Sequence, residues 1–192
     1  MSDNRRRKVT GVHNGLPNSS RWKKMNAPPE GEPFIWFTRE MLESPAWRVL
    51  SKPAQGVVLR IAIEHMSHAG TQNGDLPVTY TDFESYGVRR KSIPDAIAEA
   101  EALGWIDIVE RGRRGYADIR RPSKYGLTWL PRAAGGMPPS NRWKRQRTMP
   151  EARAVLKEAK RRRQKERETR REQETRRRVR QSIAASDMDR TP

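Results

Sequence analysis

Apolar side chains dense enough to build a core occur in one stretch of this 192-residue chain, between Phe34 and Trp129, and charge dominates both flanks. One domain of about 100 residues is therefore expected, because a polar, charged flank buries too little apolar area to offset its chain entropy. Phe34 to Pro131 holds 13 basic and 12 acidic side chains, so nearly all of the net charge of +17 lies outside that stretch. An excess of this size points to a polyanionic partner, since cations that neutralise phosphates release condensed counterions. Nucleic acid leads, ahead of an anionic membrane surface. The chain has no run of about 20 apolar residues and no cysteines, so neither a spanning helix nor a disulfide or thiolate zinc site is expected. A cytoplasmic, nucleoid-associated protein without a cofactor is the expectation.

The pattern within the apolar stretch gives an order of elements. Ser44-Pro45 and Ser51-Lys52-Pro53 each combine an N-cap with an early proline, and each predicts a helix start. After the second, Ala54, Val57, Val58, Ile61 and His65 form one apolar stripe, and Gly70 lies beyond its end. Leu76 to Tyr80 reads as a short strand, placed at an edge by Pro77. Thr81 is the expected cap of a very short helix, Asp82 to Tyr86, stopped by Gly87. Ile93, Ile97, Ala100 and Leu103 mark a third helix, with Ser92 as its expected cap and Gly104 as its stop. Trp105 to Val109 and Ile119 to Trp129 alternate like two strands, joined by the Gly-flanked basic tip Arg111 to Gly115.

Helix, strand, short helix, turn, helix, hairpin is the order of a winged helix-turn-helix, an α+β fold with a three-helix core and a β-hairpin wing. The run from Tyr80 through Gly87, Val88, Arg89, Arg90 and Lys91 to Ile93 has the required short helix, glycine turn, apolar anchor and basic entry to a second helix. Together with Phe37 to Leu42, Ser44-Pro45-Ala46-Trp47, Leu103-Gly104-Trp105-Ile106 and Arg111-Gly112-Arg113, it resembles the winged-helix domains of bacterial plasmid and phage replication and regulatory proteins. The resemblance spans about half the chain and implies fold and DNA binding. Pro94 and Asp95 depart from it, standing where such helices often carry polar or basic residues.

On this reading Arg89, Arg90, Lys91, Ser92 and Asp95 face the major groove, while Arg111, Arg113, Arg114 and Tyr116 at the wing tip meet the backbone or minor groove. Arg120, Arg121 and Lys124 on the return strand contact phosphates. Two similar tripeptides flank the domain, Arg21-Trp22-Lys23 and Arg142-Trp143-Lys144. Each tryptophan either stacks on bases or docks into an apolar slot of its own domain. The expected organisation is a disordered basic arm over 1–31, the DNA-binding domain over 32–131, a basic linker over 132–149, an Arg-rich helix over 150–182 and a disordered tail over 183–192. In that helix only Ala152, Val155, Leu156 and Ala159 are spaced as an apolar stripe.

His65 and His68 are the sole close histidine pair, and no phosphate loop or paired catalytic carboxylates accompany them, so no enzyme activity is expected. The expected function is sequence-specific binding of double-stranded DNA, by a homodimer or an array, in transcriptional regulation of a bacterium or mobile element. The alternatives are a replication initiator or accessory protein on origin repeats, an RNA-binding or ribosome-associated protein, and a metal-dependent nuclease. A fragment of residues 32–132 is expected to fold alone.

Overall fold

The computed structural model describes residues 27, 30–114, 120–132 and 136–188. The chain divides into Met1–Phe34 and Ile35–Pro192, and all regular secondary structure among the described residues belongs to the second unit. That unit is α+β, with six α-helices and a small antiparallel sheet among the described residues.

Two short helices open it, α1 (Arg39–Glu43) and α2 (Pro45–Arg48). Thr38 caps the first; Ser44 ends it and caps the second by accepting a hydrogen bond from the Trp47 N–H. Ser51 caps α3 (Lys52–Ser67), whose Ala54, Val57, Val58, Ile61 and His65 are all buried, as the stripe requires. Next come β1 (Leu76–Val78) and α4 (Tyr80–Ser85). The cap of α4 is Thr79 rather than the expected Thr81: its hydroxyl accepts from the Asp82 N–H while its own N–H donates to the Asp82 carboxylate, which closes a capping box. A 3-10 turn over Arg90–Ser92 leads into α5 (Ile93–Ala102), so Ser92 makes no side-chain cap.

The sheet consists of β1, β2 (Ile106–Glu110) and β5 (Ser123–Leu127), with β5 in the centre and β1 at one edge, where Pro77 is tolerated. Beyond it the two-residue strands β3 (Arg113–Arg114) and β4 (Arg120–Arg121) pair with each other. A register shift between Ile108 and Glu110 separates this outer hairpin from the sheet. Asn73, buried in the turn before β1, donates to the carbonyls of Leu127, Leu130 and Pro131 and accepts from the Leu127 N–H, which ties the end of β5 to that turn.

The compact unit is longer than the 32–131 domain expected from sequence. Trp143 is buried and stacks on Trp105, with ring centroids 5.4 Å apart and 12° between planes. Trp105 in turn meets Trp47 and Trp129 edge-on, and Phe37 touches both of those rings. The linker approaches this closely only because residue 104 lacks a side chain: a Cβ there would lie 2.6 Å from the Arg142 carbonyl carbon. Asp107 then holds Arg132 and Arg142 by ion pairs. Past the linker, α6 runs from Met149 to Met188, longer than the expected 150–182 helix. Residues 183–188 are therefore helical and not part of a tail. Ala152 and Ala159 are buried and Val155 packs against the core, so the apolar stripe docks the first turns of α6 on the domain.

A fragment ending at residue 132 lacks Trp143 and Ala152, and it is now expected to be far less stable than the whole chain. In the whole chain Trp143→Ala should cost about 3 to 5 kcal/mol in chemical denaturation. Stability should also fall on acidification through about pH 6.5. Burial, reinforced by the nearby His68, holds the His65 pKa below its ordinary value, so the unfolded chain takes up that proton first. Thermal melts between pH 7.5 and 5.5 should show a decline that His65→Gln flattens.

Candidate nucleic-acid interface

The basic turn is built by Gly87 and Val88. Gly87 ends α4 at φ +90°, a left-handed conformation that glycine adopts without strain, and Val88 is buried beside Gly56. Arg89, Arg90 and Lys91 follow and are exposed. Arg90 forms an ion pair with Glu84 on α4, which ties it down away from a ligand. Arg89 and Lys91 form no ion pair among the described residues.

On α5 the buried side is Ile93, Ala96, Ile97 and Ala100. Its charged residues are Asp95, Glu99 and Glu101, and the helix carries no cation. α6 lies across this acidic helix. Arg167 donates to Asp95 at 2.6 Å, Arg163 stands 3.6 Å from the same carboxylate, and Lys160 stands 3.4 Å from Glu99. Glu99, itself buried, also accepts from the Ser51 N–H at the start of α3, which locks the three helices together. Asp95, an expected groove contact, is thus engaged within the chain. The signal was present in the sequence: the stripe Ala152, Val155, Ala159 continues at helical spacing into Arg163, Arg167 and Arg170.

The outer hairpin carries two pairs of arginines. Arg113 pairs in register with Arg121, and Arg114 with Arg120. Arg111, at the base of the hairpin, is 78% exposed and only 3.9 Å from its nearest carboxylate, Glu101. Gly112 permits the strand crossing, since a Cβ there would meet the Arg121 carbonyl oxygen at 2.6 Å. Tyr116 lies outside the described residues. Lys124, an expected phosphate contact, instead pairs with Asp75 at 2.6 Å and approaches Glu110. The Asp75 hydrogen bond and charge raise its pKa.

The flanking tripeptides resolve in one case. Trp143 is the docked tryptophan, Arg142 is held by Asp107 and the Ile106 carbonyl, and Lys144 sits 5.0 Å over the Trp143 ring beside Glu40. A buried ring has no face to offer a base, so the expected alternative of a DNA contact at Trp143 is corrected to a core contact. Arg21, Trp22 and Lys23 lie outside the described residues.

No family model, curated protein or solved structure matches the chain. Among the described residues, no group of three His, Asp or Glu side chains could hold a metal ion, and no helix is long and apolar enough to cross a membrane. His68 is within 3.2 Å of Glu64, and His65 is buried.

The clasp between α5 and α6 has a direct test. Arg163→Gln with Arg167→Gln should speed amide hydrogen exchange over residues 161–172 several-fold, while residues 152–159 stay protected by their apolar contacts. The pairs are partly exposed, so the loss of global stability should be no more than about 1 kcal/mol.

Proposed function

We propose that this protein binds double-stranded DNA through the outer hairpin and the basic turn, on a winged helix-turn-helix scaffold, without catalysing a reaction. The observation that carries this reading is the arginine ladder, Arg113 opposite Arg121 and Arg114 opposite Arg120. Four guanidinium-bearing residues on one small ribbon make sense where phosphates lie between or beside them, because bidentate Arg–phosphate pairs convert mutual repulsion into attraction. Arg111 extends the patch at the hairpin base, and Arg89 and Lys91 supply cations at the turn. The order of helices and strands supports the same scaffold.

This reading moves the duplex contact away from α5. A helix that carries three carboxylates and no cation, and is crossed by α6, is poorly suited to enter a groove bordered by phosphates. Sequence preference then rests on the hairpin and on DNA shape. The exposed cations of α6 beyond Arg167 add affinity that is the same for every sequence, since phosphates carry no sequence information. A role in transcriptional regulation is the use such a binder would serve on this reading.

Fluorescence anisotropy with duplex DNA over a range of salt tests the proposal. Log K should fall linearly with log salt, and replacing Arg113, Arg114, Arg120 and Arg121 by Gln should reduce the slope by about 0.9 for each phosphate that the variant no longer neutralises. A chain ending at Arg167 should bind preferred and random duplexes more weakly by similar free energies. An unchanged slope in the hairpin variant would remove the hairpin from the interface.

A further inference from the structure

Where α6 crosses α5, the face of the molecule beside the hairpin is a trough rather than a ridge. Two recesses of about 490 and 290 Å³ lie between α6, α5 and the sheet. They share Pro94, Ile97, Ile108, Arg111 and Arg163, so they form one continuous channel. Its lining is largely polar, with Pro94 and Ile108 contributing the apolar part. The larger recess is lined by Arg162 together with Glu101 and Glu166, and the smaller by Arg170; Arg111 lines both.

The smaller recess has a further property. Tyr80 lines it and is 38% exposed, and no carboxylate is among its described lining residues. Arg170 forms no ion pair among the described residues, and Arg111 has only its long approach to Glu101. The half-exposed Tyr80 ring, with Pro94 and Ile108 beside it and Arg111 and Arg170 at the border, fits a nucleobase against the ring and its phosphate at the arginines. A duplex does not fit. Protein ridges enter duplex grooves, the major groove being about 12 Å wide, whereas here the concave partner is the protein and the space holds about one nucleotide at a time.

We infer that this channel binds single-stranded DNA, with Tyr80 stacking on a base and Arg111 and Arg170 holding the phosphates. The site is separate from the arginine ladder of the hairpin. It shares Arg111 with the wider basic patch but draws its other groups from α4, α5, α6 and the sheet. Glu101 and Glu166, on the wall of the larger recess, repel phosphate there and direct the backbone toward the smaller one.

The test uses the full chain with fluorescein-labelled (dT)15, (U)15 and a random duplex of equal length. Wild type should bind (dT)15, and Tyr80→Ala should weaken that binding about tenfold, the effect of removing one stacked base. Tyr80→Phe should restore it, and duplex affinity should stay within twofold for both variants. Arg170→Gln should lower the salt slope for (dT)15. No binding of (dT)15 at low salt, equal binding by Tyr80→Ala, or tighter binding of (U)15 than of (dT)15 would each overturn the inference. Binding of duplex without (dT)15 rejects the channel and leaves the proposed function standing; binding of (dT)15 without duplex does the reverse.

Discussion

The stack of Trp143 on Trp105 is the contact on which the rest of the arrangement depends. It brings a basic segment from outside the apolar stretch into the core, and Gly104 makes room for that segment's backbone. With Trp143 seated, Asp107 can hold Arg142, and the chain leaves the linker in position to start α6 against the domain. Ala152 and Ala159 then bury, and the arginines that follow on the same face reach the carboxylates of α5. A Trp ring removes a large apolar area from water, worth on the order of 3 kcal/mol at about 25 cal/mol per Å². The exposed ion pairs that follow are individually weak. The order of dependence therefore runs from the aromatic contact to the clasp.

The electrostatics follow from that order. α5 is acidic and α6 is basic, and their union neutralises part of each while leaving the distal cations of α6 in solvent. In the outer hairpin Arg113 and Arg114 stand in register with Arg121 and Arg120. The same crossing of α6 over α5 that closes one surface opens the channel bordered by Tyr80, Arg111 and Arg170. The hairpin and this channel therefore adjoin at Arg111 and Gly112.

Much of the fold was legible in the sequence because the signals were local. The stripe of α3, the caps at Ser44 and Ser51, the apolar face of α5 and the edge position of Pro77 all rest on spacing within a few residues, and the structure agrees with each. The cap of α4 was misplaced by two residues because Thr79 and Thr81 are chemically alike, and only the reciprocal bond that the Asp82 carboxylate accepts from the Thr79 N–H distinguishes them. What was not legible was non-local. Arg142-Trp143-Lys144 reads as a basic linker, and nothing within it reveals that Gly104 leaves a slot 39 positions earlier. Asn73 reads as a turn residue, whereas it closes the end of the sheet. The candidate site was half legible: the positions of the cations were plain, but the pairing of Arg90 with Glu84, Lys124 with Asp75 and Asp95 with Arg167 decides which charges remain free.

The central claim is that the hairpin, and not α5, meets duplex DNA. Hydrogen exchange of the full chain with and without a saturating duplex, followed by mass spectrometry of its peptides, reads this most directly. The account predicts added protection across residues 110–124 on binding and no change across 93–102, where α6 already lies over the helix. Added protection across 93–102 together with faster exchange over 160–170 would contradict it, because it would mean that DNA displaces α6 and takes its place on α5.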